Sequence, residues 1–379
     1  MIRMKTRFHR VILAFAAIAL LSLLAITLKF VAIRGGTPAI PDSGSIASLE
    51  KQQIGGVDQW VLIRGRDRTN PVLLLLHGGP GMPAMYLAHE FQSELERDFV
   101  IVHWDRRGAG KSFDARLQTP AFSVRQTLND TYELTEKLRV RFHQQRIYLV
   151  GHSWGSYLGL LAIREHPEYY TAFIGMGVPA GSREQVRVLQ REFLSRTATY
   201  TGNPNLKARL AGATMEVSED DLFECGGELY ASRSFWPILK AGLSAPEYTL
   251  RDAMNVKKGA DLLNHKMKYD VVPGLLEGEI LRVSVPVFFF LGRHDFNTPS
   301  RLAAEYLARL DTPLKGLVWF EHSAHFPFFE ESDLFRKEMV RVEHEVQAFW
   351  NSQALEDLTA RPAITPQAPV IVKGVSQHP

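Results

Sequence analysis

Cysteine is almost absent. Cys225 stands alone among 379 residues, which excludes an internal disulfide and any metal centre built from several thiolates. An excess of either charge is missing too. The 44 Lys and Arg nearly balance the 41 Asp and Glu, leaving a net charge of +3, with no basic stripe or recognition motif. Nucleic acid is therefore not expected as a partner. No internal repeat is visible. What is present is a composition 45% apolar and 22% charged, the balance of a globular chain with a substantial core.

One long apolar run departs from that balance. Val11 to Leu28 (VILAFAAIALLSLLAITL) carries no charge over 18 residues and follows a flank holding Arg3, Lys5, Arg7 and Arg10. At about 1.5 Å per residue it would span roughly 27 Å as a helix, close to the ~30 Å of a bilayer core. The expectation is a single-pass membrane anchor in residues 1–33. Its basic flank would stay in the cytoplasm, placing the rest on the periplasmic or extracellular side. The alternative is secretion after signal cleavage, although a small-x-small cleavage site is missing just after the run.

Residues 34–48, rich in Gly, Pro and Ser, read as a linker, and 351–379, with four prolines, as a loose tail. In between, short wholly apolar runs at 72–76, 99–102, 147–150, 172–175 and 287–291 suit strands buried on both faces of a sheet. They alternate with helical patterns. One opens on a capping-box sequence, Ser123 to Gln126; another carries Phe335, Met339, Val342, Val346 and Phe349 on one face. The fold class is α/β, a mostly parallel sheet with helices on both faces. Residues 49–182 and 273–350 form its core. Residues 183–272 lack a comparable strand and read as an inserted helical cap.

The chemistry sits where strands end. Gly151-His-Ser-Trp-Gly155 joins a strand to a helix, the setting of a nucleophile elbow whose serine, Ser153, is held out at the sheet's edge. A serine needs a base oriented by a carboxylate. Asp295 follows the strand at 287–291, and His325 follows the next one, giving the chain order serine, acid, histidine. Asp270 is the rival acid, and His294 and His322 are the rival bases. His77-Gly-Gly-Pro-Gly81 follows the strand at 72–76, so its backbone N–H groups can face a substrate. Gly79 (or its neighbour Gly78) and Trp154 are the candidate oxyanion donors.

HGGPG, residues 105–112 (DRRGAGKS), GHSWGS, the Asp295 segment and Ser323-Ala-His325 together resemble the proline iminopeptidase branch of the α/β-hydrolases, over roughly residues 50–350. The resemblance implies a serine peptidase or esterase that needs no metal or cofactor and acts on a small molecule or short peptide. In the peptidases, cap carboxylates bind the substrate's free amino group, usually one of them in a Trp-x-x-Trp-Glu segment. None of the six tryptophans here forms it. Glu224 and Glu228 are the candidates to take that role, and exposed cap glutamates without a role are the alternative. An aminopeptidase is thus expected. A carboxylesterase or other acyl hydrolase is the alternative, and a non-catalytic binding protein a remoter one.

Overall fold

A computed structural model of the chain describes residues 35–117, 122–211, 217–267 and 280–360, with Leu20 and Ser22 besides. Eight strands form one sheet in the order β1-β2-β4-β3-β5-β6-β7-β8. They are β1 (Ile46–Ile54), β2 (Val57–Gly65), β3 (Val72–Leu76), β4 (Val100–Asp105), β5 (Ile147–His152), β6 (Tyr170–Met176), β7 (Val287–Gly292) and β8 (Lys315–Phe320). Strands β3 to β8 run parallel, whereas β1 and β2 join as an antiparallel hairpin. The hairpin turns on Gly55 and Gly56, both at positive φ. A two-residue turn that matches the strands' twist requires that conformation.

Successive side chains of one strand point to opposite faces, and β3 shows why its run is wholly apolar. Val72, Leu74 and Leu76 enter one core, while Leu73 and Leu75 enter the other. The first core is covered by α2 (Val124–Phe142), α3 (Trp154–Glu165) and α9 (Ser300–Arg309); the second by α1 (Ala88–Phe91) and α11 (Ser332–Ala360), with α10 (Pro327–Glu330) beside it. The expected α/β arrangement is observed. Ser123 caps α2 by accepting from Gln126 N at 3.1 Å, but the Gln126 side chain turns to Asp130, so only half of the expected box forms. Among the described residues between β6 and β7 lie five helices: α4 (Arg183–Thr201), α5 (Pro204–Leu210), α6 (Glu219–Cys225), α7 (Trp236–Ser244) and α8 (Leu250–Lys266).

Two expectations change. Helix α11 continues to Ala360, because Asn351 to Ala360 holds no proline or glycine to stop it. The membrane anchor, and the periplasmic or extracellular placement drawn from it, are corrected. Among the described residues no helix is long and apolar enough to cross a membrane. Apart from Leu20 and Ser22, the run Val11 to Leu28 lies outside the described residues, and its 18 residues sit at the short limit for a span.

Candidate active site

Strand β5 ends at His152 and α3 begins at Trp154, so the whole turn falls on Ser153, at φ 55° and ψ −125°. A side chain there costs about 1–3 kcal/mol and persists only where its surroundings enforce it. The flanking glycines are part of that enforcement. A Cβ on Gly155 would stand 2.1 Å from Leu76 O, and one on Gly151 2.6 Å from Gly155 O. Ser153 N donates to Met176 O at 2.8 Å, tying the turn to β6.

Asp295 follows β7 and His325 follows β8, both almost fully buried. His325 Nδ1 lies 2.9 Å from Asp295 Oδ2. Thr298 donates to the same carboxylate twice, from N to Oδ1 and from Oγ1 to Oδ2, each at 2.9 Å. Its Oγ1 also lies 3.2 Å from His325 Nδ1. Burial works against charge on His325, but Asp295 and then Glu228 outweigh it and raise its pKa to about 9. Behind the ring stands Gly177, at φ 53°, where a Cβ would come 2.6 Å from His325 Cε1. Sequence reasoning missed both supporting residues. Thr298 had a signal, since a threonine three residues after an aspartate can close a turn onto it. Gly177 had none without the fold.

Ser153 and His325 line one cavity of about 220 Å³ together with Gly78, Gly79, Phe223, Glu219 and Glu228, though no hydrogen bond joins Ser153 Oγ to His325. Gly79 takes φ 103° in the loop after β3. Trp154, as first residue of α3, has a backbone N–H without an intrahelical acceptor. Glu228 is buried. Its Oε1 accepts from Asn297 at 3.1 Å, while its Oε2 has no partner among the described residues. Burial, partly offset by His325, raises its pKa to about 7.

Glu224 is placed elsewhere. It accepts from Arg209 and Asn203 on an exposed face and does not line the cavity. His294 and His322 pack against Tyr230, also away from Ser153. Asp270 lies outside the described residues. Among those described, no group of three or more His, Cys, Asp or Glu is placed to hold a metal ion.

The segment that carries Glu228 is bonded to both loops behind the cavity. His325 N donates to Glu228 O at 3.0 Å, and Phe296 N donates to Gly227 O at 3.0 Å. Glu330 accepts from Tyr230 N and Ala231 N with one oxygen and from Ala324 N with the other.

The sequence model of the alpha/beta hydrolase fold matches residues 71–332. Over 313 residues the chain is 29% identical to the probable aminopeptidase YbaC of Bacillus subtilis, covering 80% of this chain and 98% of that one. It is 24% identical over 268 residues to the proline iminopeptidase of Heyndrickxia coagulans, covering 69% and 86%. The crystal structure of a proline iminopeptidase-related protein from Thermus thermophilus superposes with a TM-score of 0.55 at 18% identity, covering 80% and 98%, a likeness of fold.

Proposed function

Because the chain belongs to the α/β-hydrolase family and is a proline iminopeptidase-like hydrolase, we propose that it is a serine aminopeptidase working through an acyl-enzyme. Ser153 Oγ attacks the acyl carbon as His325 Nε2 takes its proton. Asp295 holds the imidazolium that results, and the N–H groups of Gly79 and Trp154 receive the oxyanion. His325 then protonates the leaving amine, and water, deprotonated by the same ring, releases the acid.

The observation that carries this reading is the shared cavity. It brings the strained Ser153 and the Asp295-bonded His325 together although 172 positions separate them in the chain. The peptidase assignment rests on Glu228, which lines the cavity with Glu219 and whose buried Oε2 has no partner among the described residues, a pair of carboxyl groups that suits a cationic amino group. At about 220 Å³ the cavity falls below the roughly 300–1,000 Å³ of sites for drug-sized ligands, so a small substrate fits. The helices described between β6 and β7 act as a cap, and two of them, α6 and α8, supply Glu219, Phe223, Ala260 and Asn264 to its wall.

Hydrolysis of small esters is the second reading, favoured by the apolar wall of Phe223, Phe235, Phe326 and Phe328. The test is a panel of prolyl and other aminoacyl arylamides, their N-blocked forms and short-chain aryl esters, run beside fluorophosphonate labelling. Ser153→Ala lowers kcat by about a millionfold if the three groups act as a unit. Cleavage of free but not blocked amides establishes the aminopeptidase. Turnover of esters alone establishes the second reading. Absence of label on Ser153 would leave a binding protein.

A further inference from the structure

Arg106 lies just past the end of β4 and is 2% exposed, yet among the described residues no carboxylate accepts from its guanidinium. A buried cation without an anionic partner is expensive unless other groups replace its water. Here they are the carbonyls of one loop. Arg106 Nη2 shares its two N–H groups among His77 O at 2.7 Å, Pro80 O at 3.0 Å and Gly78 O at 3.2 Å, while Nη1 has no partner among the described residues. Burial pushes the guanidinium down to about 9, and the Asp105 charge resists that.

His77 adds to the same arrangement. Burial first, and Arg106 second, keep its ring neutral. Its Nδ1 lies 2.9 Å from Gly78 O, which as a carbonyl accepts, and Arg106 N donates to its Nε2 at 3.4 Å. Arg106 Nη2 also lies 3.0 Å from Nδ1, but that nitrogen carries the proton given to Gly78, so this approach is a contact only. Gly78 O therefore accepts from His77 and takes a share of the Arg106 Nη2 hydrogens.

In a trans peptide the C=O and N–H of one plane point in opposite directions. Gly78 O and Gly79 N share such a plane. With the carbonyl fixed toward Arg106, the Gly79 N–H faces the other way, and it is Gly78 and Gly79, not Arg106, that line the cavity. A positive charge at the carbonyl end also polarises the peptide and strengthens its N–H as a donor. The guanidinium reaches the other expected donor too, standing 4.7 Å from the centre of the Trp154 ring.

We propose that Arg106 is a positioning residue that sets and strengthens the oxyanion hole, by clamping the carbonyls of residues 77–80 from behind and bracing Trp154. This rests on the serine-hydrolase reading above. Ground-state binding makes little use of the oxyanion donors, so the loss should fall on kcat.

The test uses the full chain, with p-nitrophenyl acetate as substrate, an aryl trifluoromethyl ketone as transition-state mimic, and thermal unfolding to score the fold. Removing one oxyanion donor outright costs about 10²–10³ in kcat. Arg106→Met, which misaims donors rather than deleting them, is expected to lower kcat about 10–100-fold and ketone affinity by a similar factor, with KM within about threefold. Arg106→Lys, which retains donors for the same carbonyls, is expected to regain at least about tenfold over Arg106→Met. If Arg106→Met does not fold, Arg106→Gln is measured against the same limits. A kcat within about twofold of wild type, a loss carried by KM alone, or a lysine variant no better than the methionine one overturns the proposal. Wild type that fails to label with a fluorophosphonate would instead overturn the underlying reading.

Discussion

Gly177→Ala isolates the placement of the base from its chemistry. The new methyl would stand 2.6 Å from His325 Cε1 and 2.9 Å from Nδ1, about 0.8 Å inside the 3.4 Å at which ordinary contact with Cε1 begins. Because φ is 53°, an alanine also adopts the left-handed region at a cost of roughly 1–2 kcal/mol, which a net stability of about 5–15 kcal/mol can bear. Relief comes from the ring moving, and a displacement of about 1 Å can cost on the order of 10²-fold in rate. We expect ester hydrolysis and fluorophosphonate labelling to slow together by about that factor, since both need the Ser153 proton removed. KM should change little, and thermal unfolding should remain a single transition a few degrees lower. A folded variant with kcat within about threefold of wild type would show that His325 does not need its present position.

The pH profile follows from the charges around the base. Only neutral imidazole accepts a proton, so kcat/KM should rise as pH passes upward through the His325 value of about 9 and fall about tenfold per unit below it. Glu228→Gln removes one of the charges that raise it and should move the midpoint down, whereas a midpoint near the ordinary value of about 6.5 in both proteins would contradict the assignment. For substrate choice, Glu228→Gln should cost free aminoacyl arylamides about 10–150-fold in kcat/KM relative to esters, the worth of a charge-assisted hydrogen bond, while Glu224→Gln changes neither. Equal effects of the two, measured side by side, would exclude Glu228 as the amine's partner. Asp130→Ala leaves the buried Arg107, now bonded to it at 2.9 Å, without its anion. Urea unfolding should show a loss of about 3–5 kcal/mol, and less than 1 kcal/mol would mean that the pair stabilises little.

The legible parts of the sequence were those under strong local constraint. Strands buried on both faces leave unbroken apolar runs, which is why β3, β5 and β7 stand out. The turns that carry Ser153 and Gly79 tolerate few residues, so glycine spacing gives them away. Strand β1 went unread because Glu50, Lys51, Gln52 and Gln53 break its apolar pattern, as suits the edge of a sheet, whereas Trp60 to Ile63 of β2 is as apolar as the runs that were read and was passed over. Glu224 and Glu228 could not be told apart by composition, since one turn of chain after the end of α6 reverses which carboxylate faces inward. Gly177 and Arg106 act through residues about 150 and 30 positions away, and such contacts leave no trace in local pattern.

The stitching of residues 227–231 to the loops of Asp295 and His325 has an evolutionary corollary. On the proposed reading, recognition and proton transfer would share one mechanical part, so a change that retunes specificity at Glu228 would drag turnover with it. New substrate preferences would be reached more freely at Phe223 and Phe235, which line the same cavity but lie outside residues 227–231.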